Sequence, residues 1–171
     1  KTYKENFLQE IQDQKKAMHN FHHLVDSFIN PPKKILYTSS GAVYGQSNLN
    51  RKRTNELKTQ CEPDDNNSLK KVYANIKINW ENYILSNFPE NSIIARCFAF
   101  IGPRLPFDKH FAVGNFLGDF LNGSEINVNS KYSIYRSYLY CDDLVEWLMT
   151  LLVDSNKFNY KIFNVGSNEE V

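Results

Sequence analysis

Residues 34–45 read Lys-Ile-Leu-Tyr-Thr-Ser-Ser-Gly-Ala-Val-Tyr-Gly. The apolar run at the start follows a break at Pro31 and Pro32 and is typical of a short buried strand. The small residues after it predict a tight turn at the carboxyl end of that strand, with hydroxyl groups beside it. Because ligands bind at the carboxyl edge of open α/β sheets, the segment predicts where a site would lie.

Helical periodicity and short apolar runs alternate outward from this strand. In chain order the pattern predicts a helix over 6–28, the strand over 34–38, a polar surface excursion over 46–68, a helix over 72–87 and a strand over 92–101. It continues with a helix over 111–121, short strands over 125–129 and 132–140, a helix capped by Asp142 or Asp143, and a strand over 161–166. Helices between strands at this rhythm indicate right-handed crossovers and a parallel α/β sheet.

The composition argues against several classes of protein. Lys and Arg total 20 against 19 Asp and Glu, so the net charge of +1 provides no long-range field for nucleic acid or anionic lipid. Cys61, Cys97 and Cys141 lie far apart without a metal or redox spacing. No apolar run reaches the roughly 18 residues of a spanning helix. We therefore expect a cytoplasmic protein with no nucleic-acid or membrane partner.

Tyr73 and Lys77 form the strongest local signal for chemistry. A spacing of four on a helix places the phenol and the ammonium on one face, within reach of each other. The pattern alone also fits a packed tyrosine covered by a lysine stem. The hydroxyl of Ser40 at the end of the preceding strand favours a site, with Ser39 as a competing hydroxyl or as a cap of the strand end.

Further motifs follow these residues in a fixed order. The segments are Ser-Ser-x-x-Val-Tyr-Gly at 39–45, Tyr-x3-Lys at 73–77, Arg-Cys-Phe-Ala-Phe-Ile-Gly-Pro at 96–103, Arg-Ser-Tyr-Leu-Tyr-Cys-Asp-Asp at 136–143 and Phe-Asn-Val-Gly at 163–166. Together they resemble the extended short-chain dehydrogenases that act on nucleotide sugars. The resemblance implies a partial Rossmann-like parallel sheet with helices over 1–103 and part of a small substrate-binding lobe over 104–171.

The resemblance also implies an NAD-dependent nucleotide-sugar epimerase or dehydratase, with NADP left open as the cofactor. Tyr73 would be the general base or acid, because the nearby Lys77 charge favours its ionised form, and Lys77 would also bind the nicotinamide ribose. Ser40 would hold the sugar oxygen that is oxidised. The other implied contacts are Ser39 and Phe100 to the cofactor, Tyr44 to the substrate, and Arg136 to the substrate diphosphate.

Several positions depart from the family pattern. The 4,6-dehydratases carry an acid just after the catalytic hydroxyl, but this chain has Gly41 and Ala42, and neither can transfer a proton. Ala99 stands where many members carry an asparagine, and Lys71-Val72 replaces an Asn-Pro. Epimerisation of a nucleotide-diphosphate hexose through a keto intermediate is the first choice. A reductase, decarboxylase or dehydratase of the family, or a non-catalytic binding module, stays open.

The remaining expectations concern the glycines and the histidines. None of the 7 glycines precedes Gly41, whereas a dinucleotide fold begins with a strand, a glycine-rich turn and a helix. We expect that βαβ unit to be absent from these residues, so that the chain alone binds NAD weakly and is inactive. His19 and His23 have a spacing that could share a metal, but no acid or cysteine completes the set, so we expect none. A homodimer through the two long helices is left open.

Overall fold

The computed structural model describes most of the chain. The described residues are 3–30, 32–45, 56, 69–107, 111–128 and 136–169. Their helices and strands are α1 (Tyr3–Ser27), β1 (Ile35–Ser40), α2 (Leu69–Asn87), β2 (Ser92–Cys97), β3 (Ala99–Ile101), α3 (Ala112–Leu121), β4 (Tyr138–Tyr140), α4 (Cys141–Asp154) and β5 (Ile162–Val165). Short 3-10 helices cover Gly41–Tyr44 and Ser155–Lys157. No described helix has both the length and the apolar character needed to cross a membrane.

Three parallel strands form the main sheet in the order β1-β2-β5. Ser40 aligns with Cys97, and Cys97 aligns with Val165, so the carboxyl ends of the three strands meet at one edge. The predicted parallel α/β arrangement is confirmed. Because β5 belongs to this sheet, the chain after residue 103 returns to the first predicted domain, and the division at residue 103 stays a prediction.

Both faces of the main sheet are covered, because alternate strand residues point to opposite sides. The cluster beneath α2 comprises Trp80, Ile84 and Ile94, with Met18 and Phe21 of α1 packed against it. The cluster beneath α4 comprises Ile93, Ala95, Leu144, Leu151 and Val165. The neighbours Ile93 and Ile94 therefore stabilise opposite layers, and α2 is held firmly over the β1 side of the sheet.

The apolar run over 92–101 forms two strands, so the prediction of a single strand is wrong. β3 leaves the main sheet and pairs in parallel with β4. At the junction the Phe98 amide donates to the Val165 carbonyl oxygen at 2.9 Å. The Phe98 ring lies so near Gly41 that an ideal Cβ there would be 2.8 Å from its Cε1 atom. Packing of this ring into the turn after β1 redirects the chain.

Three local predictions in the second half differ from the structure of the described residues. Residues 125–128 form no strand and are exposed. Of the strand predicted over 132–140, residues 138–140 form β4, residues 136 and 137 are not in a strand, and residues 129 and 132–135 lie outside the described part. The cap of α4 is Tyr140, with no side-chain bond. Asp142 and Asp143 lie in the first turn, where the positive end of the helix dipole stabilises their negative charges.

Gly114 lies where α3 touches the loop before it. An ideal Cβ on Gly114 would lie 2.3 Å from the Pro106 carbonyl oxygen, a backbone atom that cannot move alone. We expect Gly114→Ala to lower the free energy of unfolding by about 1–3 kcal/mol through overpacking. Asn115→Ala, at an exposed position of the same helix, should change it little. Urea denaturation measures both, and equal stability of the two variants would contradict the close approach.

Candidate functional site

The carboxyl edge of the main sheet brings together four segments that the sequence singled out. Phe98 follows β2 and packs against Gly41 after β1, and an ideal Cβ on Gly166 after β5 would lie 3.2 Å from the Phe98 Cβ. The same point on Gly166 is 3.1 Å from the Ser137 Oγ atom. The turn after β1, the ends of β2 and β5, and the segment before β4 therefore meet at the edge where α/β sheets bind ligands.

Ser40 is the last residue of β1 and the N-cap of the first 3-10 helix. Its Oγ atom accepts a hydrogen bond from the Ala42 amide at 3.2 Å. This bond uses a lone pair of the hydroxyl and leaves its proton to donate elsewhere. The cap orients Ser40 at the sheet edge, and its catalytic role stays a prediction.

Lys77 joins α2 to the end of β1. Its Nζ atom donates to the Thr38 carbonyl oxygen at 3.1 Å. The same ammonium lies 5.1 Å from the centroid of the Tyr37 ring and 5.8 Å from that of the Tyr73 ring. The spacing of four thus places the ammonium beside the Tyr73 ring, as predicted, while the catalytic roles of the pair stay predictions.

Tyr37 lies beneath Lys77 and stacks on Trp80, with ring centroids 5.6 Å apart. Burial, and then the charges of Tyr73 and Glu81, raise the pKa of Tyr37 above its usual value. A phenol with a raised pKa is a poor general base. Tyr37 is therefore less readily ionised than a free tyrosine, and its ring packs between Lys77 and Trp80.

Ser39 points to the other side of β1 from Ser40 and is buried. Its hydroxyl donates to Glu81 Oε1 at 2.5 Å. Glu81 is itself fully buried and pairs with Arg96, whose Nη2 and Nε atoms lie 2.6 and 3.0 Å from the carboxylate oxygens. Ser39 has this structural partner, and its predicted contact with the cofactor stays a prediction.

Tyr44 is also buried, and its hydroxyl has two partners. It accepts from Arg96 Nη1 at 2.9 Å and donates to Asn164 Oδ1 at 2.7 Å. Burial lowers the pKa of Arg96, but the hydrogen bonds to Glu81 and Tyr44 and the charge of Glu81 outweigh it and raise that pKa. Arg96 therefore stays charged inside the protein. The predicted contact between Tyr44 and the substrate stays a prediction.

Phe100 and Arg136 lie on the second, two-stranded sheet or next to it. Phe100 is in β3 opposite Leu139 and is 49% exposed. Arg136 is exposed and precedes β4 by two residues. Both are accessible near the sheet edge, and their predicted contacts with cofactor and diphosphate stay predictions.

The histidines of α1 form contacts of their own. The Nε2 atoms of His19 and His23 are 3.1 Å apart, and His22 contacts the Tyr83 hydroxyl. Among the described residues no group of three or more His, Cys, Asp or Glu side chains could hold a metal ion. Cys97 and Cys141 are free thiols, and Cys61 lies outside the described residues.

Sequence reasoning missed Glu81 and gave Arg96 no charged partner. Glu81 lies four residues after Lys77 and eight after Tyr73, so one face of α2 carries all three side chains. Arg96 stands in the otherwise apolar run of β2. A lone arginine in a buried strand requires a counter-charge, and that signal could have indicated Glu81.

Comparison with known proteins identifies a family. The model described as "NAD dependent epimerase/dehydratase family" matches residues 9–166. UDP-glucuronic acid decarboxylase 6 of Arabidopsis thaliana is 36% identical over 73 residues, which cover 43% of this chain and 21% of that protein.

Solved structures show the same fold at low identity. An NAD-dependent NDP-hexosamine 5,6-dehydratase of tunicamycin biosynthesis has a TM-score of 0.73 at 22% identity, over 98% of this chain and 51% of its own. The UDP-N-acetylglucosamine 4-epimerase of Methanobrevibacter ruminantium M1, in complex with UDP-N-acetylmuramic acid, has a TM-score of 0.63 at 18% identity, over 81% of this chain and 43% of its own. The chain thus spans about half of these structures or less. The expected Rossmann-like α/β fold is confirmed.

Proposed function

This chain belongs to the NAD dependent epimerase/dehydratase family, and we propose that the whole protein epimerises a nucleotide-diphosphate hexose through a keto intermediate. The observation that carries the proposal is the position of the Lys77 ammonium, bonded to the Thr38 carbonyl at the end of β1 and beside the Tyr73 ring. A phenol, an ammonium and the Ser40 hydroxyl at one sheet edge suit the oxidation of an alcohol.

Each of the three side chains has a separate task. Tyr73 removes the proton from the sugar hydroxyl and later returns it. Lys77 keeps positive charge beside the phenol and favours its ionised form. Ser40, held by its bond to the Ala42 amide, donates a hydrogen bond to the sugar oxygen and orients it. Orientation of this kind matters because proton transfer needs heavy atoms about 2.6–3.2 Å apart.

The residues of this edge fit the nicotinamide half of NAD. The Lys77 ammonium can donate to ribose hydroxyls, the Tyr73 phenol oxygen can accept from one, and the exposed Phe100 ring offers a flat apolar surface. NAD, when bound, would supply the hydride acceptor for oxidation of the sugar carbon and the hydride donor for its reduction. Ser39 would contact the cofactor through its backbone at the end of β1.

Arg136 and Tyr44 complete the proposed substrate contacts. The guanidinium of Arg136 is exposed, two residues before β4, and its planar fork suits two phosphate oxygens of a nucleotide diphosphate. Tyr44 would contact the substrate from beneath the turn after β1, where its ring is stacked on Phe98. Residues 1–103 would then carry most of the catalytic groups, and residues 104–171 part of the sugar-binding lobe.

Decarboxylation of a nucleotide-linked uronic acid is the second candidate, favoured by the 36% identity to a UDP-glucuronic acid decarboxylase. Both reactions begin with oxidation of the sugar. The test is incubation of the whole protein and NAD with UDP-glucose, UDP-N-acetylglucosamine and UDP-glucuronic acid, followed by NMR and mass spectrometry. Product of unchanged mass and inverted configuration supports epimerisation, and loss of carbon dioxide supports the second candidate. Unchanged substrate in all three mixtures would contradict both.

We expect the whole protein not to be an efficient 4,6-dehydratase. Elimination of water needs an acid after Ser40, and this chain has Gly41 and Ala42 there. An acidic side chain at position 41 would meet the Phe98 ring, since even a Cβ would be 2.8 Å from it. Incubation with UDP-glucose and dTDP-glucose is the measurement. Accumulation of a 4-keto-6-deoxy sugar at ordinary enzyme rates would contradict the prediction.

A further inference from the structure

Five buried or half-buried polar side chains form one connected group beneath the catalytic edge. We call it the Glu81–Arg96 network, and its members are Ser39, Tyr44, Glu81, Arg96 and Asn164. Glu81 accepts from Ser39 and Arg96, Arg96 donates to Tyr44, and Tyr44 donates to Asn164. The network therefore links β1, the first 3-10 helix, α2, β2 and β5 through side chains alone.

The strand members of the network lie in one row across the sheet. Ser39 aligns with Arg96, and Arg96 aligns with Asn164. Two residues earlier, on the same face of the sheet, the row consists of Tyr37, Ile94 and Ile162, which belong to the cluster beneath α2. The polar row is thus placed between the packed core and the residues proposed to act on the sugar.

Glu81 connects this row to the catalytic face of α2. Tyr73, Lys77 and Glu81 are spaced by four, so their side chains follow one stripe of the helix. Glu81 is bonded to two strands, through the Ser39 hydroxyl of β1 and the Arg96 guanidinium of β2. A rotation or shift of α2 would break these short bonds. The bonds of Glu81 therefore also set the positions of Lys77 and Tyr73.

Stability alone does not explain a charged pair at this place. Glu81 is 0% and Arg96 2% exposed, and removing both charges from water costs much of what their attraction returns. Apolar side chains of similar volume in such positions are often equally stable. What an ion pair has and apolar packing lacks is direction, because a carboxylate and a guanidinium fork meet in few geometries.

We propose that the Glu81–Arg96 network is a positioning device that holds α2 so that Tyr73 and Lys77 stay beside the end of β1 that carries Ser40. The proposal rests on the proposed function, because it assigns these three residues to the reaction. Glu56 extends the device, since it accepts from Arg96 through its backbone carbonyl oxygen at 3.3 Å and from the backbone N–H of Asn164 through Oε1 at 3.0 Å. Glu56 is the one described residue of the polar excursion predicted over 46–68, and the rest of that stretch lies outside the described residues.

The test replaces the pair by apolar side chains in the whole protein, as E81M/R96M. We expect a melting temperature near that of the wild type, a kcat lower by about ten- to a hundredfold, and a KM for nucleotide sugar changed far less. Amide hydrogen exchange of residues 73–77 and 40–45 should quicken. The control is D154M/K157M, which removes an ion pair at the surface of α4 and should leave kcat and this exchange unchanged.

Unchanged kcat in a stable E81M/R96M protein would overturn the proposal. If the double variant fails to fold, E81D keeps the charge but shortens the side chain, and it should lower kcat by about tenfold with little change in KM. Equal kcat in E81D and wild type would then overturn the proposal. Hydrogen exchange can be measured without turnover, so it tests the positioning role independently of the reaction. An inactive wild type would contradict the proposed function. Equal hydrogen exchange in the wild type and the variants would overturn the positioning role.

Discussion

Tyr73→Phe in the whole protein should lower kcat by about a hundredfold or more while the protein stays folded. The change removes the only transferable proton of the side chain and keeps the ring beside which the Lys77 ammonium lies. Packing of α2 on the sheet depends on Trp80 and Ile84, further along the helix, and those contacts are unaffected. Turnover and melting temperature should be measured on the same sample.

Two further variants make the Tyr73 result specific. Tyr160→Phe is the matched control, because Tyr160 is 66% exposed and has no proposed role in the reaction, and its turnover should equal that of the wild type. Ser40→Ala should cost less than Tyr73→Phe, because it removes an orienting hydrogen bond and leaves the base in place. Near-normal turnover of Tyr73→Phe, with or without a change in stability, would remove Tyr73 from the mechanism.

Arg96→Met should lower the free energy of unfolding by about 3–5 kcal/mol, because it leaves a buried carboxylate without its counter-charge. Methionine fills much of the arginine volume, so the loss measures the unpaired Glu81 rather than a cavity. Glu81 is 0% exposed and cannot regain water without a movement of α2. Urea denaturation at neutral pH is the measurement.

Arg104→Met is the control for this loss, since Arg104 is exposed and the same substitution there should change stability by less than about 0.5 kcal/mol. E81M/R96M should recover most of the stability that Arg96→Met loses, because no charge is then left buried. If Arg96→Met unfolds like Arg104→Met, the ion pair does not carry the energy that its burial implies.

The order of helices and parallel strands could be read from the chain, because burial on two faces imposes apolar runs on the strands and a stripe on each helix. The spacing of Tyr73 and Lys77 likewise follows from helix geometry alone. The change of direction at Phe98 could not be predicted in this way, because the apolar run continues through it without a break. Its ring turns the chain away from β2 only because glycines at 41 and 166 leave room for it.

The sequence determined the family, the parallel sheet and the residues proposed for catalysis, because short-range periodicity and ordered motifs are properties of neighbours along the chain. Tertiary structure alone decided that Ser39 turns inward to Glu81 while Ser40 stays at the edge. It also decided that Tyr44, Arg96 and Asn164 share hydrogen bonds across 120 positions of sequence separation. Such partners are chosen by strand order and register, which place distant residues side by side, and the local pattern of a chain does not record that choice.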